Sequence, residues 1–161
     1  MFIRSIKAST LKMFACITVA VTITAFLIAL TPKNNVISVL SPSGEIVYTD
    51  ANDNIGRKKF LKQFGWELSE NPISETEVTV PSKFDSVFSA YNELQKLQGL
   101  DISKYKHKKV IRYTYEVTNY TEYDGKVFAN LIVYRGRVIG GDICTENRDG
   151  FIHGFSKDVH L

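Results

Sequence analysis

From Met13 to Leu30 the chain reads MFACITVAVTITAFLIAL, eighteen residues with no charge and nothing more polar than threonine, bracketed by Lys12 and Lys33. A helix rises about 1.5 Å per residue, so a run of this length just crosses the hydrocarbon core of a bilayer. The sequence therefore predicts a transmembrane helix over residues 13–31, with 13–30 in the lipid bilayer. The rival is a cleaved signal peptide, which has a shorter apolar centre and small residues at its cut site. The best small residues here, Ala29–Thr31, are followed by Pro32, a poor position for cleavage. Cys16 follows Ala15, but nothing apolar enough precedes it to make a lipoprotein signal. An uncleaved anchor is the reading carried forward.

The flanks give the orientation. Arg4, Lys7 and Lys12 precede the run and only Lys33 directly follows it. Basic residues stay cytoplasmic, so residues 1–12 form a short basic cytoplasmic tail and the rest of the chain is extracytoplasmic. All 17 acidic residues and 17 of the 20 basic ones lie beyond the run, which leaves the exported part formally neutral. The net charge of +3 is thus a topology signal, and no nucleic-acid partner is expected. Cys144 is alone outside the run, so the exported part can hold no internal disulfide.

Beyond the anchor, Val36–Leu40 and Glu45–Thr49 flank the turn SPSG, reading as a small hairpin within a linker over 32–53. Asp53 or Asn54 can cap a helix through RKKFLKQF, with Phe60, Leu61 and Phe64 on one side and Gly65 as its stop. Thr76, Val78 and Val80 alternate as a half-buried strand ended by Pro81. Ser82 then reads as the cap of a second helix, with Asp85 three residues on in the capping-box position. On that helix Phe84, Val87, Phe88, Tyr91, Leu94 and Gln98 share one face. The remainder is β: Ile111, Tyr113, Tyr115 and Val117 alternate, VFANLIVY reads as the central strand, and the paired glycines in RVIGGDICT predict a bulge or close backbone approach. The fold class is α+β, ordered helix, strand, helix, three-stranded meander. Residues 54–156 form one exported domain, its two helices packed on one face of an antiparallel sheet, with 157–161 as a tail.

The segments FLKQFGWEL, VTVPSKFDSVFSAYNELQKLQGLDISKY, RYTYEVTNY and VFANLIVYRGRVIGGDICT with the later GFIHGF resemble, in order, a bacterial family known as domain of unknown function 4830. The resemblance covers roughly residues 57–155. It implies a bacterial, Gram-positive envelope setting and an N-terminal membrane segment, and it supplies no catalytic residue.

Three constellations invite chemistry. Cys144 and His153 are nine residues apart, and Asp142 shares a strand face with Cys144, so a thiol, a base and a carboxylate meet if the chain folds back at RDG. No nucleophile signature surrounds them, and a lone cysteine is more often a small buried apolar residue. Lys104, Lys106, Lys108, Lys109 and Arg112, with His107 among them, crowd nine positions and suit anionic lipid or a phosphate-bearing wall polymer. The plain alternative is lysines blunting a sheet edge. Tyr120 and Tyr123, near the turn NYTEYDG, suit a recognition surface. His107, His153 and His160 show no metal-ligand spacing, so no metal and no cofactor are expected. The function read from the sequence is a membrane-anchored, non-catalytic binding module of the bacterial cell envelope that engages an envelope protein or an anionic polymer. A thiol enzyme built on Cys144 and His153 is the alternative.

Overall fold

The computed structural model describes residues 40–41, 44–147 and 150–161. The predicted span at 13–30, the tail before it, residues 32–39 and 42–43 of the linker, and Arg148 and Asp149 of the RDG turn lie outside the described residues. Among the described residues no helix is long and apolar enough to cross a membrane.

Two short strands, β1 (Leu40–Ser41) and β2 (Gly44–Glu45), pair antiparallel where the SPSG turn predicts a hairpin, with a shorter second arm than the Glu45–Thr49 read from the sequence. The chain from Ile46 to Ala51 is not a second hairpin arm. It lies along the main sheet, where Val138 N–H donates to the Tyr48 carbonyl and Ala51 N–H to that of Gly136, both at 2.9 Å. Helix α1 (Asn54–Lys62) starts as read, with Asp53 as its cap accepting from Gly56 N–H at 2.7 Å. Gly65 follows its end at φ +86°, a conformation a side chain resists.

Five strands then make one antiparallel sheet, in chain order across it: β3 (Ser74–Thr79), β4 (Lys109–Val117), β5 (Val127–Tyr134), β6 (Arg137–Thr145) and β7 (Ile152–His153). VFANLIVY is the central strand, as its two-sided apolarity requires. The glycine pair in β6 accompanies a register shift: Val133 faces Val138, yet Ile132 faces Gly140, so Ile139 is the extra residue.

The second helix, α2 (Ser86–Leu97), departs from the sequence reading in three ways. Its cap is Asp85, whose carboxylate accepts from Phe88 N–H at 2.7 Å, so Ser82 lies outside the helix. It lies on the opposite face of the sheet from α1. Odd-numbered residues of β4 and β5 (Tyr113, Tyr115, Ala129, Leu131) pack with Phe60, Leu61, Trp66 and Phe155, whereas Val110 and Ile132 pack with Val80, Ile102, Phe88 and Tyr91. Finally, its buried face is partly polar. Val87 is 76% exposed, while Asn92, Gln95 and Gln98 are buried with Leu94.

Those amides complete a sheet edge. Gln95 Oε1 accepts from Gly141 N–H at 2.8 Å, and Gln98 Nε2 donates to the Gly141 carbonyl at 3.1 Å. They fill the stretch of β6 between the Tyr48 segment and β7, where a strand would otherwise be needed. Gly141 has to be glycine: a Cβ there would collide with the Asn130 carbonyl oxygen and the Phe155 ring.

Candidate functional site

The even-numbered face of the sheet changes character along the strands. Near the start of β4 it is apolar, through Val78, Val80, Val110 and Ile132. One step further Thr114, Asn130 and Asp142 stand side by side on β4, β5 and β6 as a polar row. Thr114 Oγ1 donates to Asn130 Oδ1 at 2.8 Å, and Asn130 Nδ2 donates to Asp142 Oδ1 at 2.9 Å. From α2, Tyr91 OH donates to Asp142 Oδ2 at 2.7 Å. Asn130 Nδ2 also lies 3.3 Å from Cys144 Sγ, and the thiol donates to Asp142.

Where α2 lifts away from the sheet, a groove of about 340 Å³ opens. Val78, Val80, Val87, Phe88, Ile102 and Ile132 wall it, and Arg112, Asn130 and Asp142 supply its polar end. Asp142 is 4% exposed, and burial pushes its carboxyl above the usual carboxylate range despite the donors around it. Burial first, then the neighbouring Asp142 charge, pushes the Cys144 thiol up to about 12. Tyr91 is raised well above its ordinary value by burial and by Asp142. Arg112 is exposed and makes no ion pair among the described residues.

The structure brings Asp142 and Cys144 together and leaves His153 apart. Cys144 pairs with Ile152, and Ile143 pairs with His153, so His153 projects from the other face of the sheet. There it stacks on Phe151 at 5.3 Å between ring centroids and lies 6.1 Å from Trp66. Burial holds its imidazole below the ordinary range. Among the described residues no group of three or more His, Cys, Asp and Glu side chains is placed to hold a metal.

The basic run is divided as well. Lys106 Nζ sits 5.0 Å above the Phe84 ring, Lys109 pairs with Glu77 at 2.8 Å, and Arg112 points into the groove. Strand alternation sends Lys109 and Arg112 to opposite faces, so the run is no single binding strip. Tyr120 stacks between Trp66 and Phe151, with Lys157 Nζ 4.7 Å above it, and belongs to the packed aromatic array more than to an open surface.

The sequence marks Tyr91 only as part of a helix face and gives no site signal for Thr114. Asn130 left the one usable signal, the sole amide in an otherwise apolar central strand.

The arrangement defines a small α+β domain, an open antiparallel sheet carrying one helix on each face and a ligand-sized groove under the second. The chain belongs to the family described as Domain of unknown function (DUF4830), whose model matches residues 60–143, in line with the resemblance its motifs carry. No curated protein and no solved structure matches it.

Proposed function

We propose that this protein is a non-catalytic binding module of the bacterial cell envelope, displayed outside the membrane by the apolar run at 13–30. Its groove takes an apolar segment that ends in an anion at Arg112. One observation carries the reading: the groove walls are apolar and open, while at its polar end Arg112, which makes no ion pair among the described residues, stands beside hydrogen-bonded Asp142 and Asn130. Against thiol chemistry stand a thiol pushed up to about 12 by burial and by Asp142, and a histidine on the far face of the sheet.

The test uses the full-length chain in a lipid nanodisc, titrated with octanoate and with octanol. Methyl resonances of Val78, Val80, Val87 and Ile132 report on the groove. Octanoate is expected to move them at lower concentration than octanol, and Arg112→Ser should erase that preference. Resonances indifferent to both ligands would sink the groove reading. In a Cys16→Ser background, Cys144 is expected to alkylate with iodoacetamide only after unfolding. Rapid alkylation of the folded chain below neutral pH would instead favour the thiol enzyme.

A further inference from the structure

We infer that a second cavity, on the α1 face of the sheet and independent of the groove, binds a phosphate group. It measures about 650 Å³ and lies between the sheet and the Ala51–Asn52 turn that leads into α1. Ile111, Tyr113 and Val133 form its floor. Lys108, Lys109 and Arg135 bring three cations to its rim, with His107 beside them, against one carboxylate, Glu77. Glu77 is already engaged by Lys109 at 2.8 Å, so Lys108 and Arg135 carry the uncompensated charge.

Two further observations point to the same place. Arg57 is 6% exposed, and its guanidinium lies 3.7 Å from the centroid of the Tyr113 ring that floors the cavity. Its hydrogen bonds go to neutral acceptors: the Tyr115 hydroxyl at 2.8 Å and the carbonyls of Asn52 at 3.1 Å and Ala51 at 3.4 Å. No carboxylate among the described residues makes an ion pair with it; the nearby Glu75 carboxylate accepts from the Tyr113 hydroxyl. A buried cation with no ion-pair partner adds positive potential behind that floor.

The second observation is backbone geometry. Among the described residues only Asp50, His107 and Arg135 hold left-handed backbone without being glycine, at φ +69°, +63° and +49°. His107 and Arg135 line the cavity, and Asp50 precedes the turn that closes it. At Arg135 the positive φ belongs, with Gly136, to the two-residue hairpin turn between β5 and β6, which fixes the backbone from which its guanidinium reaches the cavity. The fork of Arg135 with the point charge of Lys108 suits a tetrahedral, multiply charged oxyanion better than a lone carboxylate.

The shared chemistry is a phosphate ester, from a soluble or polymeric source or from a lipid headgroup. The full-length chain in a neutral-lipid nanodisc is titrated calorimetrically with glycerol 3-phosphate. In a parallel arm, it is floated with phosphatidylglycerol vesicles and with phosphatidylcholine vesicles. Lys108→Ser and Arg135→Asn are the test variants; asparagine tolerates the left-handed turn, and thermal melting checks that both fold. Lys83→Ser, outside both cavities, is the control.

Saturable binding of glycerol 3-phosphate, weakened at least tenfold by either variant and untouched by the control, supports a site open to soluble or polymeric esters. Recruitment of phosphatidylglycerol vesicles alone, lost in the same variants, supports the site with a headgroup as its source. Binding to neither, or binding that both folded variants retain, overturns the proposal.

Discussion

His153 illustrates how one side chain's surroundings set its role. Its ring is packed flat against Phe151 and its Nδ1–H donates to the Gly154 carbonyl at 2.6 Å. Burial, with a smaller push from Lys157, holds its pKa below the ordinary value of about 6.5. Above that ordinary value the folded and unfolded chains both carry a neutral ring. As pH falls, the unfolded chain takes the proton first, so stability is present above about 6.5 and is lost as pH drops through the lower folded value. His153→Phe keeps the stack and cannot titrate. The urea midpoint of the parent chain is therefore expected to fall relative to the variant's between pH 7.5 and pH 5. Parallel pH profiles would contradict the assignment. Asp142 has the opposite sign. Its raised carboxyl favours the folded state where both states are protonated, and that advantage fades as pH climbs from about 4 through the folded value. Asp142→Asn, which can still accept from Asn130 and meet a reoriented Tyr91 hydroxyl, is expected to gain stability on the parent chain as pH rises from 4 to 7, read from the same midpoints.

At the scale of elements, α2 is the informative one. Asp85 and Ser82 are both good capping residues three positions apart, and the pattern S-x-x-D favours Ser82 on local grounds. Local grounds do not decide it. Asp85 sits where its carboxylate meets Phe88 N–H, and Ser82–Phe84 bend away from the helix. Asp85→Ala is expected to cost about 1 kcal/mol and Ser82→Ala under about 0.5 kcal/mol, measured by urea unfolding. The apolar stripe is legible because a helix face repeats every three to four residues. The buried amides are not, because Gln95 and Gln98 serve Gly141 of β6, more than forty residues away. That pairing has a cost: Gln95 Nε2 is buried with no hydrogen-bond partner among the described residues. Gln98→Ala would leave the Gly141 carbonyl and the Phe155 N–H without their side-chain partner, each worth about 1–3 kcal/mol when buried.

For the whole molecule, the folding unit is wider than the family match. That match ends at residue 143, but the α1-face core is closed from both sides of it. Tyr48 packs on Phe60 at 5.6 Å and donates its hydroxyl to the Gln98 carbonyl at 3.0 Å. Phe155, fully buried, meets Phe60 edge to face at 5.0 Å, and its carbonyl accepts from Trp66 Nε1 at 2.6 Å. Phe155→Ala is expected to cost about 3–5 kcal/mol, a large share of the stability of a domain this size. A chain ending at Thr145 should lose the cooperative melt seen by circular dichroism; a retained melt would show that the Phe155 segment is dispensable for folding.

What the sequence determined by itself is what depends on near neighbours. Alternation in RYTYEV and VFANLIVY sets the strands and the central place of β5, Asp53 and Gly65 bound α1, and the glycine pair marks the bulge. The class of fold and the family resemblance follow from such patterns. Only the tertiary structure decided which face each helix takes, because an apolar stripe states that it must be covered and not by which side of a sheet. It also decided that Asp142 and Cys144 share a sheet face with Tyr91 while His153 faces away, since strand parity sends Ile143 and Cys144 to opposite sides and β7 inherits that parity by pairing. Similarly, Lys109 and Arg112 part company once β4 alternates, and the two cavities arise where helices and turns from distant segments stop short of the sheet.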